Sequence, residues 1–301
     1  MLTFEENVKQ ATQSLRLAAE MSEYYYHKPL VICYSGGKDS DIILDLAKRC
    51  LAPNQFEVIH NHTTVDAPET VYYVRKVFRE LNDLGIKTTI SMPTFKGERT
   101  SMWKLIEMKG MPPTRTTRYC CKVLKERTIP NRFLCFGIRE DEGTNRRNRN
   151  VFQKLGYDKR SNEYRSLQHT YAMFQLDKKH EYEIYTCKLI EACKENADMI
   201  CNPIYTFTED DVWKYIRQYH IEINPLYHKG YKRVGCVGCP MAGAKKQIRD
   251  FELYPKYKQN YIKALDRMND KLKEKGTTRF ESGQAWFDWW IGNNPNQISL
   301  F

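Results

Sequence analysis

The chain has 301 residues, 41% hydrophobic and 13% aromatic, enough apolar side chain for a large buried core and too much for a wholly disordered protein. Lys and Arg outnumber Asp and Glu by 48 to 37, a formal charge of +11, which favours polyanionic partners, a phosphorylated nucleotide or a nucleic acid. The opening MLTFEENVKQ has no basic segment followed by an apolar one, and no apolar run approaches membrane-spanning length; the expectation is a cytoplasmic protein with no membrane partner.

Apolar residues at helical spacing (Val8, Leu15, Leu17, Met21) predict an opening helix over 4–26. Leu30–Ser40 then reads LVICYSGGKDS, a buried strand breaking into Ser35-Gly36-Gly37-Lys38-Asp39-Ser40 and on into the amphipathic stretch Asp41–Cys50. Paired glycines let consecutive N–H groups turn toward an anion, and the N-terminus of the next helix adds its positive end. Lys38 adds a full charge there. The spacing is neither a Walker P-loop nor a dinucleotide fingerprint. Strands over Phe56–His62 and Lys87–Ser91 flank a helix over Pro68–Leu84, a short helix covers Ser101–Lys109, another Cys120–Thr128, and Phe133–Ile138 is a strongly apolar fourth strand. The alternation predicts an α/β fold with a doubly wound parallel sheet.

Beyond Arg139 the pattern turns polar and basic over 140–165, with Arg146, Arg147, Arg149, Lys159, Arg160 and Arg165; a loop or insertion is expected. A further strand is expected over Glu181–Thr186. Thr208 should cap a helix whose first turn carries Glu209, Asp210 and Asp211; their suitability to the helix dipole explains them without a role in chemistry. One long charged helix is expected over Asp250–Glu274, and the aromatic cluster of Ser282–Trp290 as a packing face. The domain expectation is 1–245 followed by a helical extension over 246–301.

Cysteines cluster at Cys120-Cys121 and at Cys236-Val237-Gly238-Cys239. Four thiolates make a full ligand set for tetrahedral zinc or for an iron–sulfur cluster. Adjacent cysteines splay two ligands from neighbouring Cα atoms, which a larger cluster accommodates more easily than a single ion. The other six, Cys33, Cys50, Cys135, Cys187, Cys193 and Cys201, are expected to act as buried small hydrophobes.

The SGGKDS loop resembles that of the PP-loop ATP pyrophosphatases, and specifically the phosphoadenosine-phosphosulfate (PAPS) reductase family. The likeness extends over about 28–245 in HTTVDAPET, with Pro68, Glu69 and Thr70 matching but His62 and Thr64 replacing an Asp and a Gly. Further matches are Gly137-Ile138-Arg139-Glu140-Asp141-Glu142, Asn202-Pro203-Ile204, Asp211-Val212-Trp213, Asn224-Pro225-Leu226-Tyr227 and the GCVGCP run. This resemblance implies the PP-loop, adenine nucleotide alpha-hydrolase-like fold and a [4Fe–4S] cluster on Cys120, Cys121, Cys236 and Cys239, with zinc as the alternative. It implies ATP or a related adenine nucleotide over Ser35–Ser40, with Lys38 and Arg139 neutralising charge at the α-phosphate. Asp39 either holds a Mg²⁺ or caps the helix. Arg115, Arg118 and Lys122 beside the cysteine pair, and Arg146 and Arg147, are candidates for holding an anionic substrate.

The expected activity is ATP pyrophosphatase and sulfurtransferase chemistry: adenylation with pyrophosphate release, supporting sulfur transfer. A nucleic acid (tRNA or DNA) or a sulfur-donor protein would be the partner. The alternatives are an adenylyl-sulfate or PAPS reductase and a non-catalytic nucleotide-binding protein with a structural cluster. The reductase ranks second because those enzymes carry a nucleophilic cysteine in a C-terminal tail, and no cysteine follows Cys239 in the sequence.

Overall fold

The computed structural model describes residues 2–126, 129, 131–143, 151–154 and 199–292. They fall into two compact units, one of 1–60, 72–90 and 128–232, the other of 61–71, 91–127 and 233–301.

In the first unit the chain begins with α1 (Phe4–Tyr26), started by a capping box in which Thr3 accepts from the Glu6 N–H and Glu6 accepts from the Thr3 N–H. Its Ala11, Leu15, Ala18 and Met21 are buried. Elements β1 (Leu30–Cys33), α2 (Lys38–Cys50), β2 (Phe56–Asn61), α3 (Pro68–Asp83) and β3 (Thr88–Ser91) follow. The sheet is completed by β6 (Phe133–Cys135), β7 (Phe152–Lys154) and β8 (Met199–Cys201), in the order β3-β2-β1-β6-β8-β7. Pairings β1–β2, β1–β6 and β6–β8 are parallel, with Ile32 opposite both Val58 and Cys135. The order runs outward in one direction through β2 and β3 and in the other through β6 and β8. The β1/β6 junction is therefore the switch point where a doubly wound sheet opens a crevice at its carboxyl edge.

The expected doubly wound parallel sheet with a helical C-terminal region is what the chain forms, with three local differences in the first unit. The basic stretch expected as a loop contains β7, paired antiparallel to β8. The strand Met199–Cys201 went unpredicted because three residues carry too short a pattern to read. The fourth strand, expected to reach Ile138, stops at Cys135. Residues Arg146, Arg147, Arg149, Lys159, Arg160, Arg165, the strand expected over Glu181–Thr186, Cys187 and Cys193 lie outside the described residues. Cys135 and Cys201 are fully buried opposite one another in β6 and β8, while Cys33 and Cys50 are partly buried.

The second unit contains the two-stranded ribbon β4 (Thr94–Phe95) and β5 (Glu98–Arg99), α4 (Met102–Lys109) and a π-helical turn over Cys121–Lys125. It also holds α6 (Ala244–Leu253), α7 (Pro255–Glu274) and α8 (Gly283–Trp290), while α5 (Glu209–Gln218) belongs to the first unit. The single helix expected over Asp250–Glu274 is two, because Pro255 has no N–H to donate and holds Tyr254 at φ −126°, ψ 66°, outside the helical region. The C-terminal aromatics pack: Trp286, Phe287 and Trp290 are buried. Ring centroids of Phe251 and Phe287 lie 4.9 Å apart, as do those of Tyr261 and Trp290. Among the described residues no helix is long and apolar enough to cross a membrane.

Candidate functional site

In the first unit, β1 delivers Tyr34–Gly37 to the carboxyl edge of the sheet. Gly36 takes φ +74°, a left-handed conformation that favours glycine. The Ser40 hydroxyl ties off the loop. It donates to the Gly37 carbonyl at 2.7 Å, and its oxygen lies 3.3 and 3.2 Å from the N–H groups of Ser35 and Gly37. Asn224 Nδ2 donates to the Gly36 carbonyl at 3.0 Å, and the Lys38 N–H donates to the Tyr227 hydroxyl at 2.9 Å. The Asn-Pro-Leu-Tyr motif thus clamps the glycine loop, a role its sequence did not reveal.

Arg139 follows β6 across the switch point, and its side chain is buried together with that of Lys38. Arg139 Nε donates to Asp39 Oδ1 at 2.7 Å, Nη2 donates to Glu209 Oε2 at 2.6 Å, and Nη1 reaches the Phe207 carbonyl at 3.4 Å. Lys38 Nζ lies 3.3 Å from Glu209 Oε1 and 3.8 Å from Asp39 Oδ2. Gly137 leaves room for Asp39 at that place, since an added Cβ there would meet Asp39 Cβ at 3.2 Å. Trp213 Nε1 donates to Glu209 Oε1 at 3.0 Å. Burial raises the Glu209 pKa, but Lys38 and Arg139 outweigh it and hold the carboxyl below its ordinary range.

Glu209 corrects the sequence reading, which left it a helix-dipole residue. Asp211 accepts from the Thr208 N–H and completes the capping box of α5. Two cations brought from β1 and β6 meet a carboxylate from α5, a long-range meeting that helix position alone does not encode.

The second unit gathers all four clustered cysteines. Cys120, Cys121, Cys236 and Cys239 line one cavity whose wall is otherwise largely apolar, including Met102, Leu124 and Tyr261. In place of the expected helix over Cys120–Thr128 the described residues form the π turn, closed by the Glu126 N–H on the Cys121 carbonyl at 2.9 Å. The other pair sits on a loop fixed from several sides. The Val237 N–H donates to the Val65 carbonyl at 2.8 Å, the Gly238 N–H to Asp250 at 3.1 Å, Gln247 to the Gly238 carbonyl at 3.0 Å and Tyr261 to the Val237 carbonyl at 3.2 Å. Gly238 has φ +70°, and a Cβ there would lie 2.2 Å from the Phe251 ring.

Positive charge accompanies the thiols. Arg118 Nη2 lies 3.5 Å from Cys121 Sγ. The Cys120 thiol, hydrogen-bonded to Cys121, moves Cys121 below the ordinary thiol range and itself above it. Burial pushes Cys236 up against the pull of Lys125. The Cys236 thiolate in turn raises the Lys125 ammonium, against burial and with help from Cys239. Lys125 was not singled out in the sequence, although it follows Cys121 by four residues. Arg115 and Arg118 are both exposed beside this cavity's cysteine pair.

Four thiols lining one cavity are a full ligand set for tetrahedral zinc or for an iron–sulfur cluster.

The phosphoadenosine phosphosulfate reductase domain matches residues 29–242, and the chain belongs to that family. It has the family's PP-loop, nucleotide-binding fold. Two uncharacterized proteins of Methanocaldococcus jannaschii are 26% identical over 78% of this chain and 47% of their own length, and 27% identical over 86% and 44%. The chain spans about half the length of these curated relatives. An adenosine 5′-phosphosulfate reductase of Burkholderia cepacia is 42% identical over 41 residues, 14% of this chain and 16% of that protein. Among solved structures, the chain is similar to a phosphoadenylyl-sulfate reductase from Candida auris (TM-score 0.45, 16% identity, covering 78% of this chain and 96% of that one). It is also similar to an FMN adenylyltransferase from Candida glabrata (TM-score 0.47, 12% identity, 78% and 64%).

Proposed function

We propose that this chain binds ATP or a related adenine nucleotide over Ser35–Ser40 and directs attack at its α-phosphate, releasing pyrophosphate, in the service of sulfur transfer. The observation that carries the reading is the meeting of the glycine loop, Lys38 and Arg139 at the β1/β6 switch point. Attack by an acceptor forms one bond to phosphorus and breaks the bond to the pyrophosphate oxygen. The negative charge that develops on the phosphoryl oxygens is what Lys38, Arg139 and the loop N–H groups would stabilise.

Cys120, Cys121, Cys236 and Cys239 would hold a [4Fe–4S] cluster, with Arg118 and Lys125 offsetting the thiolate charge. When bound, such a group supplies redox or sulfur-binding chemistry to the acceptor. The protein's own contribution there is the fixed Cys236–Cys239 loop and the apolar wall. An Asp39-bound Mg²⁺ and a nucleic acid or sulfur-donor partner belong to the same proposal.

A second reading, a sulfonucleotide reductase, is favoured by the local match to adenosine 5′-phosphosulfate reductases. One experiment separates the two. Anaerobically purified protein with iron and acid-labile sulfide in equal amounts should release pyrophosphate from ATP, and Lys38→Ala should lower that rate by about 100-fold, as loss of one transition-state charge contact does. Sulfite release from adenylyl sulfate with thioredoxin, and none of pyrophosphate, would make the reductase the better assignment.

A further inference from the structure

The cations of the nucleotide loop already carry an anion. Glu209 Oε2 accepts from Arg139 Nη2 at 2.6 Å and Oε1 lies 3.3 Å from Lys38 Nζ, so one carboxylate bridges both. The Lys38 and Arg139 side chains are each 3% exposed, whereas that of Glu209 is 48% exposed; its carboxylate is the most accessible group in direct contact with both. Asp39, 20% exposed and packed on Gly137, also touches both cations, and Asp141 lies 3.7 Å from Arg139 Nη1. Two positive charges face three negative ones, so the closed cluster offers an incoming polyanion no net attraction. The Lys38 N–H, which would face a phosphate, is bonded to the Tyr227 hydroxyl.

We infer that Glu209 is a built-in competitor for the phosphate position, a specificity-determining residue that must withdraw from Lys38 and Arg139 before a phosphate can take its place. Among the three carboxylates it is the one placed to do so. Asp39 is packed close against Gly137, and Asp141 reaches Arg139 but not Lys38, while Glu209 projects from the first residue of α5 and, the two cations apart, its carboxylate is held by the bond from Trp213. A ligand with one weak anionic charge does not repay that displacement, and a polyphosphate with several charges does. The loop is thereby selective for polyphosphate over singly charged anions. This inference rests on the proposed nucleotide site, and pyrophosphate is the probe because it tests the anion position without the adenine.

Calorimetric titration of the full chain with inorganic pyrophosphate and with ATP is the test. Glu209→Gln should bind pyrophosphate roughly ten-fold more tightly than the wild type, one decade being about 1.4 kcal/mol. Trp213→Phe, which frees the carboxylate without removing it, should tighten binding by less. A purely structural counterion would give the opposite sign, because its removal leaves Lys38 and Arg139 positioned by Asp39 and Asp141 alone and loosens the site that must hold the phosphates. Equal or weaker pyrophosphate binding by both variants overturns the inference even if wild-type protein binds ATP. Tighter pyrophosphate binding with no gain from the adenosine of ATP upholds it and overturns the adenine-nucleotide reading. Should neither ligand bind any of the three proteins, both fall.

Discussion

Buried ionisable residues beneath the loop make stability depend on pH. Asp41, in the first turn of α2, is buried and accepts from the Tyr34 hydroxyl at 2.6 Å. Burial lifts its pKa to about 7, with the Tyr34 hydrogen bond opposing. A carboxyl whose folded pKa is raised stabilises the fold fully below its unfolded value, near 3.9, and that contribution is lost as pH rises through the folded value. Asp41→Asn removes the dependence. From pH 5 to pH 8 the stability of the variant relative to wild type should therefore rise, by on the order of 2 kcal/mol. Urea midpoints at the two pH values measure it, and a pH-independent difference would mean that Asp41 is ionised throughout. Neither this shift nor the bridging place of Glu209 could be read from sequence. Both residues occupy the acidic first turn of a helix, and only packing distinguishes a dipole partner from a buried acid.

At the scale of the element, the Cys236–Cys239 loop is the part whose conformation most narrowly limits substitution. Gly238 combines φ +70° with a ring against the missing Cβ, so Gly238→Ala adds backbone strain and a steric clash that together cost about 2–5 kcal/mol if nothing moves. Relaxation would shift both cysteines. The expected result is an iron content well below wild type in anaerobically purified Gly238→Ala and in Cys239→Ser, while Cys50→Ser, in α2, keeps its iron. Iron unchanged in Gly238→Ala would show that the loop does not position ligands. The Cys-x-x-Cys spacing was legible in the sequence, but the need for glycine between the cysteines was not, because the ring of Phe251 arrives from a different helix. The π turn was likewise invisible, since its sequence is ordinary helix-forming residues.

For the whole molecule, charge is the property with a measurable consequence. The formal excess of +11 would give a nucleic-acid partner a long-range attraction that salt screens. If the basic stretch from Arg146 to Arg165 tracks phosphates, tRNA or DNA binding should weaken steeply between 50 and 200 mM salt, values at which counterion release is large. Replacing Arg146 and Arg147 together by Ala should reduce the log–log slope by about 2, close to one per phosphate contact. Binding with no salt dependence, or none in a low-salt gel shift, points instead to a small-molecule acceptor.

The strand–glycine loop–helix unit, the first three strands and the two cysteine clusters were legible in the sequence because each is a local pattern. Period-two and period-3.6 alternation, glycine punctuation and ligand spacing act over a few residues and survive without knowledge of the rest of the chain. The helix expected to run through Pro255 was misread because a strong flanking charge pattern outweighed a local rule that holds in the structure. The strand Met199–Cys201, the clamp of Asn224 and Tyr227 on the loop, and the bridging of Lys38 and Arg139 by Glu209 were decided by tertiary structure alone. Each joins residues far apart in sequence, and such contacts form only where the parallel sheet brings separate strand ends and a helix terminus to one edge.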